Sequence, residues 1–155
     1  MTKHDDTSGV HLWLLLSRCF RAVSARASES IDGLALGYTD FAILEALLHK
    51  GPLLVSELGR KVLLTSGSIT SAVDRLQARG FVLRKQDDDD KRARRVRLTP
   101  KGRALIEKAF LRHAADMETA AAALAPKDRE ALTRLLRAWG RSVARSDADD
   151  PASQG

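Results

Sequence analysis

Residues 54–99 constrain the fold more than any other part of this 155-residue chain. The first half of this segment contains two short runs with apolar residues at helical spacing, and the second half is an alternating, strongly basic run. The second helical run places four apolar residues on one face at positions i, i+3, i+4 and i+7, namely Ile69, Ala72, Val73 and Leu76. Thr65 or Ser66 is the expected N-cap of this helix, and Gly80 is its expected stop. Two short helices followed by a hairpin predict a helix-turn-helix with a β-wing.

The residues after the second helix predict a basic hairpin. Phe81–Leu83 begins one strand and Val96–Leu98 ends another. Residues 84–103 include nine basic side chains and only four acidic ones, which form the single run Asp87–Asp90. A recognition helix can enter the major groove of DNA, and a neighbouring basic hairpin can reach the backbone or the minor groove. A solvated charged loop is the alternative meaning of such a run, but its position directly behind a helix-turn-helix favours DNA.

These motifs resemble the multiple-antibiotic-resistance regulator (MarR) family of winged-helix transcription factors. The similarity includes the helix SGSITSAVDRLQARG, the wing pattern Asp90-x-Arg92, and the sequence VRLTPKG of residues 96–102, which leads into the next helix. It extends over roughly residues 10 to 145. The resemblance implies a homodimer that binds a pseudo-palindromic operator, usually as a repressor released by a small ligand or by oxidation.

The resemblance and the helical spacing together predict which residues contact DNA. Small hydroxyl residues near the N-terminus of the second helix suit close approach to phosphates and base edges. By position, Arg92 resembles the wing-tip arginine that enters the minor groove, and Asp90 resembles the acid that orients the wing. The other aspartates of the wing weaken phosphate binding unless some of them pair with nearby arginines. The predicted DNA-contacting set is Ser66, Ser68, Thr70, Ser71, Arg75, Asp90, Arg92, Arg94 and Arg95.

Charge, cysteine content and hydropathy limit the class of protein. The formal net charge of +6 fits a nucleic-acid partner better than a neutral ligand-binding module. A single cysteine is typical of a reducing compartment. The chain shows neither a signal peptide nor an apolar run of about 20 residues, so we expect a cytoplasmic protein without a membrane partner. No phosphate loop, nucleophile elbow or paired-carboxylate motif indicates an enzyme, and no cofactor is expected.

The expected fold class is mainly α with a small β-wing, as a winged helix-turn-helix flanked by N- and C-terminal dimerisation helices. We predict one domain over residues 1–155, with the DNA-binding region at 39–99 and dimerisation helices at 10–35 and 100–145.

Local signals place the ends of several elements. Thr39 and Thr99 are expected to cap the helices that follow them, and Pro100 suits the first helical turn. Leu53–Leu54 is a candidate third strand of the wing sheet.

The terminal helices carry apolar stripes that exceed what one small domain needs for its own core. The stripe residues are Leu12, Leu16, Cys19 and Val23 in the first helix and Leu132, Leu135, Leu136, Trp139 and Val143 in the last. Burial between two copies accounts for this excess, so we expect an obligate dimer. Its symmetry would separate the two recognition helices by about 34–36 Å or a multiple of that distance.

An effector pocket is expected between the dimerisation helices and the winged helix. The segment from Thr39 to Thr70 is similar to the branch of the family that responds to quinones and aromatic compounds, which suggests a phenolic or quinone-like ligand. Ordinary core packing is the alternative role for each candidate residue. The candidates are His11, Trp13, Phe20, Tyr38, Phe41, Phe110 and His113.

Two other functions compete with ligand-controlled DNA binding. Cys19 is a candidate redox switch, although its place in an apolar stripe predicts burial, and burial blunts thiol reactivity. A winged helix can also serve protein–protein contact, but the basic wing argues against it because interface cores are depleted in charge. The four histidines and the cysteine lack close ligand spacing, so no metal site is predicted.

Overall fold

The computed structural model describes residues 7–32, 34, 36–62, 66–87, 90 and 93–148, and the contacts divide the chain into two compact units after Glu118. The first unit contains α1 (Gly9–Ile31), α2 (Tyr38–Lys50), β1 (Leu53–Leu54), α3 (Val55–Val62), α4 (Ser66–Ala78), β2 (Val82–Gln86), β3 (Arg94–Leu98) and nearly all of α5 (Pro100–Ala120). The second unit contains the end of α5 and α6 (Pro126–Ala148). This helical architecture with one small sheet confirms the expected fold class.

The sheet of the wing has three antiparallel strands in the order β1-β3-β2. Strand β2 pairs with β3 over its whole length, from Val82 opposite Leu98 to Gln86 opposite Arg94. The two residues of β1 pair with the other edge of β3, with Leu53 opposite Val96. The predicted third strand at Leu53–Leu54 is therefore confirmed.

The core of the first unit lies where α2, α3, α4 and α5 meet the base of the wing. The largest fully buried side chains of this core are Phe41, Ile43, Leu44, Leu47, Leu58, Ile69, Leu76, Ile106, Val73, Val82 and Val96. Burial of this much apolar surface is the main stabilising term of the unit. Because α4 contributes one full side to this core, its opposite side is held facing outward.

Helix ends follow the sequence signals in most places. Gly51 and Gly80 end α2 and α4 with φ values of 74°, in the left-handed region that glycine tolerates. The Thr99 hydroxyl accepts a hydrogen bond from the Gly102 amide at 3.0 Å, so the predicted cap of α5 is confirmed. The predicted cap at Thr39 is wrong. Helix α2 begins at Tyr38, two residues before the start that a cap at Thr39 would give, and the Gly37 carbonyl opens it by accepting from the Phe41 amide at 3.0 Å.

Glycine at position 102 is required by the close approach of α5 to the start of β2. A Cβ atom at this position would lie 1.9 Å from the Phe81 carbonyl oxygen and 2.8 Å from its carbonyl carbon. The Thr99 amide also donates to that oxygen at 3.0 Å. The glycine and the threonine of the VRLTPKG sequence thus join the wing to α5 at one point.

The predicted apolar stripes of α1 and α6 are exposed in the single chain. On α1, Leu12 is 44% exposed and Val23 is 45% exposed, and on α6, Leu135 is 55% exposed and Trp139 is 36% exposed. None of the helices in the described residues is both long and apolar enough to cross a lipid bilayer.

Candidate nucleic-acid interface

Helix α4 presents a polar face opposite its buried one. The four predicted core residues are at most 2% exposed, which confirms the buried face of Ile69, Ala72, Val73 and Leu76. The exposed residues of α4 are Gly67, Ser68, Thr70, Ser71, Asp74, Arg75, Gln77 and Ala78. Helical spacing places Ser68, Ser71 and Arg75 along one edge of the exposed face. Thr65 and the side chain of Ser66 lie outside the described residues. A surface of small hydroxyl groups beside an arginine can approach DNA closely and bond to phosphates or base edges.

Arg75 is held by a carboxylate that sequence reasoning did not connect to it. Its Nε and Nη2 donate to the two oxygens of Asp40 at 3.1 and 2.5 Å. Asp40 belongs to the first turn of α2 and is only 2% exposed. The hydrogen bonds and the charge of Asp40 raise the pKa of Arg75 above its ordinary value, so this guanidinium stays charged. The outer edge of Arg75 faces solvent and is accessible to DNA. Its contact with DNA remains a prediction.

A second ion pair joins α4 to the wing. The Arg84 guanidinium lies 2.6 Å from a carboxylate oxygen of Asp74 and donates to the Gln77 side chain at 2.9 Å. Arg84 is in β2, and both partners are on the outer side of α4. This contact joins strand β2 of the wing to the exposed side of α4.

Asp87 organises the base of the wing tip. Its side chain is nearly buried, binds the Arg95 guanidinium, and accepts a hydrogen bond from the Asp90 amide at 3.3 Å. Arg95 also lies 3.6 Å from Glu57 of α3. At least one of the four wing aspartates therefore neutralises an arginine, which answers part of the question that the acidic run raised.

The other predicted wing residues have separate outcomes. Asp90 contributes its backbone to the turn, where its carbonyl oxygen accepts from the Ala93 amide at 2.9 Å. Arg92 lies outside the described residues. Arg94 is exposed at the start of β3. The DNA contacts assigned to Asp90, Arg92, Arg94 and Arg95 all stay predictions.

An open groove of about 620 Å³ lies on the outer side of α2. Of the predicted effector residues, Phe20 and Tyr38 line it. The other lining residues are Ala42, Glu45, Ala46, His49, Lys50, Lys61 and Val62. The lysines and the histidine were missed because nothing in the local sequence indicates that α1, α2 and α3 border one groove. The lining contains two lysines and one glutamate, so its net charge is positive, and together with its apolar and aromatic surface this suits an aromatic molecule that carries a negative charge.

The remaining effector candidates lie elsewhere. Phe41 is 1% exposed and contacts the His113 ring with centroids 4.8 Å apart, and Phe110 lies edge-on to His49 at 4.6 Å. The Ser30 hydroxyl donates to the Ala27 carbonyl oxygen, so the Ser30 oxygen accepts the Nδ1 hydrogen of His113 at 2.6 Å. Packing accounts for Phe41 and His113 in the single chain.

His11 and Trp13 are not among the residues that line the groove, and both lie near the start of α1. Their predicted part in effector binding is untested.

Cys19 is exposed, so the expected burial of its thiol is wrong for the single chain. The described part of the chain leaves the apolar stripe of α1 uncovered at this position. Among the described residues no group of three or more histidine, cysteine or acidic side chains is arranged to hold a metal ion.

Comparison with known proteins places this architecture in one family. The sequence model of the MarR family matches residues 36–93. The chain is 35% identical over 129 residues to the HTH-type transcriptional regulator MhqR of Bacillus subtilis, and the match covers 83% of this chain and 89% of the relative. It is 33% identical to the uncharacterised regulator YkoM of the same organism, with 84% and 85% covered.

A solved structure agrees. BpsR of Bordetella bronchiseptica, whose DNA binding is regulated by 6-hydroxynicotinic acid, superposes with a TM-score of 0.75 at 26% identity, covering 84% of this chain and 98% of that one. The exposed face of α4, the three-stranded wing and these similarities all indicate the same family. The chain belongs to the MarR family of winged-helix, DNA-binding transcriptional regulators and is not an enzyme.

Proposed function

We propose that this protein is a homodimer that represses transcription by binding a pseudo-palindromic operator, and that a small aromatic, phenolic or quinone-like ligand releases it. The observation that carries the proposal is the outward face of α4, where hydroxyl groups and Arg75 stand beside a wing clamped to the same helix through Arg84. The net charge of +6 supports a polyanionic partner. Such a protein would act at the nucleoid in the cytoplasm.

The apolar surfaces of α1 and α6 support the dimer. Large hydrophobic residues that are 36–73% exposed are concentrated on these two helices. Monomeric proteins rarely leave contiguous apolar patches of this kind in water, and a second copy of the chain covers such patches in obligate dimers. Sedimentation should therefore give twice the 17.0 kDa of one chain. Leu135→Glu should shift the protein toward the monomer, whereas Glu130→Gln on the same helix should not.

The groove beside α2 supports an aromatic, anionic effector. Phe20 and Tyr38 supply aromatic surface, and Lys50 and Lys61 supply positive charge at its border. BpsR, which shares the fold at 26% identity, is regulated by an aromatic acid, 6-hydroxynicotinic acid. A ligand held between α2 and α3 would bear directly on the first helix of the helix-turn-helix.

The decisive experiment is a fluorescence titration of the purified protein with DNA from its own upstream region. It is repeated at several salt concentrations and with a panel of phenols, quinones and aromatic acids. Tight, salt-dependent binding that one compound relieves would support the whole proposal. Tight binding that no compound relieves would retain the regulator and favour oxidation at Cys19. If no duplex binds specifically, the wing is a protein-contact surface and the proposal fails.

Substitutions in the interface separate base reading from phosphate binding. Ser68→Ala or Thr70→Ala should change which operator sequence is preferred, because both hydroxyl residues face outward on α4. Arg92→Ala should weaken binding to all sequences and lower the salt dependence. Ser142→Ala on α6 is the matched control and should do neither.

A further inference from the structure

Asp40 is an unusual residue for the inner side of a helix-turn-helix. It is 2% exposed, and its two oxygens accept from Arg75 of α4 in a two-point contact. Its Oδ2 also lies 3.8 Å from the guanidinium of Arg79, the residue that follows α4. A buried carboxylate is strongly unfavourable unless charged partners satisfy it. Core packing alone would be served better by an apolar side chain, so the carboxylate has a task that involves its partner.

The contact leaves the outer edge of Arg75 available. Asp40 binds the Nε and Nη2 side of the guanidinium, so the Nη1 hydrogens are directed away from the carboxylate. The side chain of Arg75 remains 52% exposed although it is fixed at two points. It lies one and two helical turns after Ser71 and Ser68 on the same edge of α4.

We infer that Asp40 is a positioning residue for operator recognition, which orients α4 and presents the outer edge of Arg75 to DNA in a fixed direction. A free arginine side chain loses rotamer entropy when it is ordered. In the folded protein Asp40 already holds Arg75 in one orientation, so this rotamer entropy is not lost again when the protein binds its operator. The inference rests on the proposed role of α4 as the DNA-reading helix.

Simple electrostatics makes the opposite prediction, which renders the inference testable. Replacing an aspartate near DNA with asparagine increases the positive charge of the protein, and phosphate attraction alone would then tighten binding to every duplex. Loss of positioning instead weakens binding to the operator without weakening binding to other duplexes. The ratio of the two affinities therefore separates the two effects.

The experiment measures affinity by fluorescence anisotropy for the operator, selected from a random duplex pool with the wild-type protein, and for a scrambled duplex. Asp40→Asn should lower operator affinity about tenfold, and affinity for the scrambled duplex should stay equal or rise. Arg75→Gln should lower operator affinity similarly, and the double variant should lose little more than either single variant. Asp116→Asn on α5 removes the same charge elsewhere and should leave the affinity ratio unchanged.

Arg75→Lys provides a second test, which can still be made if circular dichroism shows that Asp40→Asn does not fold. Lysine keeps the charge but cannot make the two-point contact, so its operator affinity should fall to that of Arg75→Gln. Wild-type affinity of Arg75→Lys would overturn the inference, as would tighter operator binding of Asp40→Asn or additive losses in the double variant. If the wild-type selection enriches no sequence, the proposed function fails and this inference fails with it.

Discussion

Replacing Gly102 with alanine tests the junction between the wing and α5. The added Cβ would lie 1.9 Å from the Phe81 carbonyl oxygen, whereas real Cβ atoms essentially never approach closer than 3.0 Å. The obstructing atoms belong to the backbone, so no side-chain rotation relieves the overlap. The first turn of α5 must therefore move away from Phe81 by about 1 Å.

The size of the effect follows from three contributions. Alanine is favoured over glycine within a helix by about 1 kcal/mol. The displacement disrupts two hydrogen bonds that Thr99 donates, from its amide to the Phe81 oxygen at 3.0 Å and from its hydroxyl to the Gly80 oxygen at 2.7 Å, each with a net value of about 1 kcal/mol. It also strains the packing of the fully buried Ile106 against the core, at about 1–3 kcal/mol. We expect Gly102→Ala to lower the free energy of unfolding by about 2–4 kcal/mol.

Urea unfolding at one fixed protein concentration measures this difference, since the stability of the proposed dimer would depend on concentration. Gly67→Ala is the matched control because no atom lies within 4 Å of the Cβ that it adds to α4. Its free energy of unfolding should lie between the wild-type value and a value about 1 kcal/mol higher. Equal stability of Gly102→Ala and the wild type would refute the argument from the close approach.

Three further substitutions have definite expected results. Thr99→Val removes the hydroxyl that accepts from the Gly102 amide, so it should lower the free energy of unfolding by about 1–2 kcal/mol in the same urea assay; an unchanged midpoint would contradict the cap. Lys61→Met should weaken binding of an aromatic acid about tenfold in calorimetry without changing operator affinity, and equal binding would move the effector out of the groove. Cys19→Ser should keep both operator binding and release by ligand, whereas loss of peroxide-induced release in this variant alone would establish the redox alternative.

Features set by short stretches of sequence could be predicted. The buried face of α4 follows from a helical period within eight residues, and Gly80 and Thr99 act on backbone groups next to them. A third strand of the wing sheet at Leu53–Leu54 was predicted, whereas its pairing with Val96 was not. Thr39 shows the limit of local propensity. A threonine side chain was expected to cap α2, but the helix begins two residues earlier, after Gly37, and has no side-chain cap.

Contacts between distant residues could not be predicted. Asp40 and Arg75 are 35 positions apart, and neither periodicity nor composition indicates which acid meets which arginine. The same holds for the groove, whose lysines come from α2 and α3 and whose phenylalanine comes from α1. Such side chains are brought together by the packing of helices, so their identities appear only once the core is built. The exposure of Cys19 was not predicted for a related reason, because an apolar stripe predicts burial without specifying what covers it.

The ion pairs also determine how many basic residues are available to phosphates. Nine basic residues lie between positions 84 and 103, but among those that the structure describes Arg84, Lys85, Arg95, Lys101 and Arg103 already have intramolecular partners. An arginine bound to a carboxylate must exchange or share that partner before it can replace a counterion on DNA. The neighbours Arg94 and Arg95 provide the test.

Arg94→Gln removes an exposed charge from the wing, so the slope of log affinity against log salt should become shallower by about 0.9 for each phosphate that is no longer neutralised. Arg95→Gln removes a charge that Asp87 already neutralises, so it should change the slope much less, although the two residues are adjacent. Equal changes in slope would mean that the Arg95–Asp87 pair opens on DNA. In that case the acidic run of the wing would be a set of exchangeable partners for arginines, and counting the basic residues in the sequence would give the correct number of phosphate contacts.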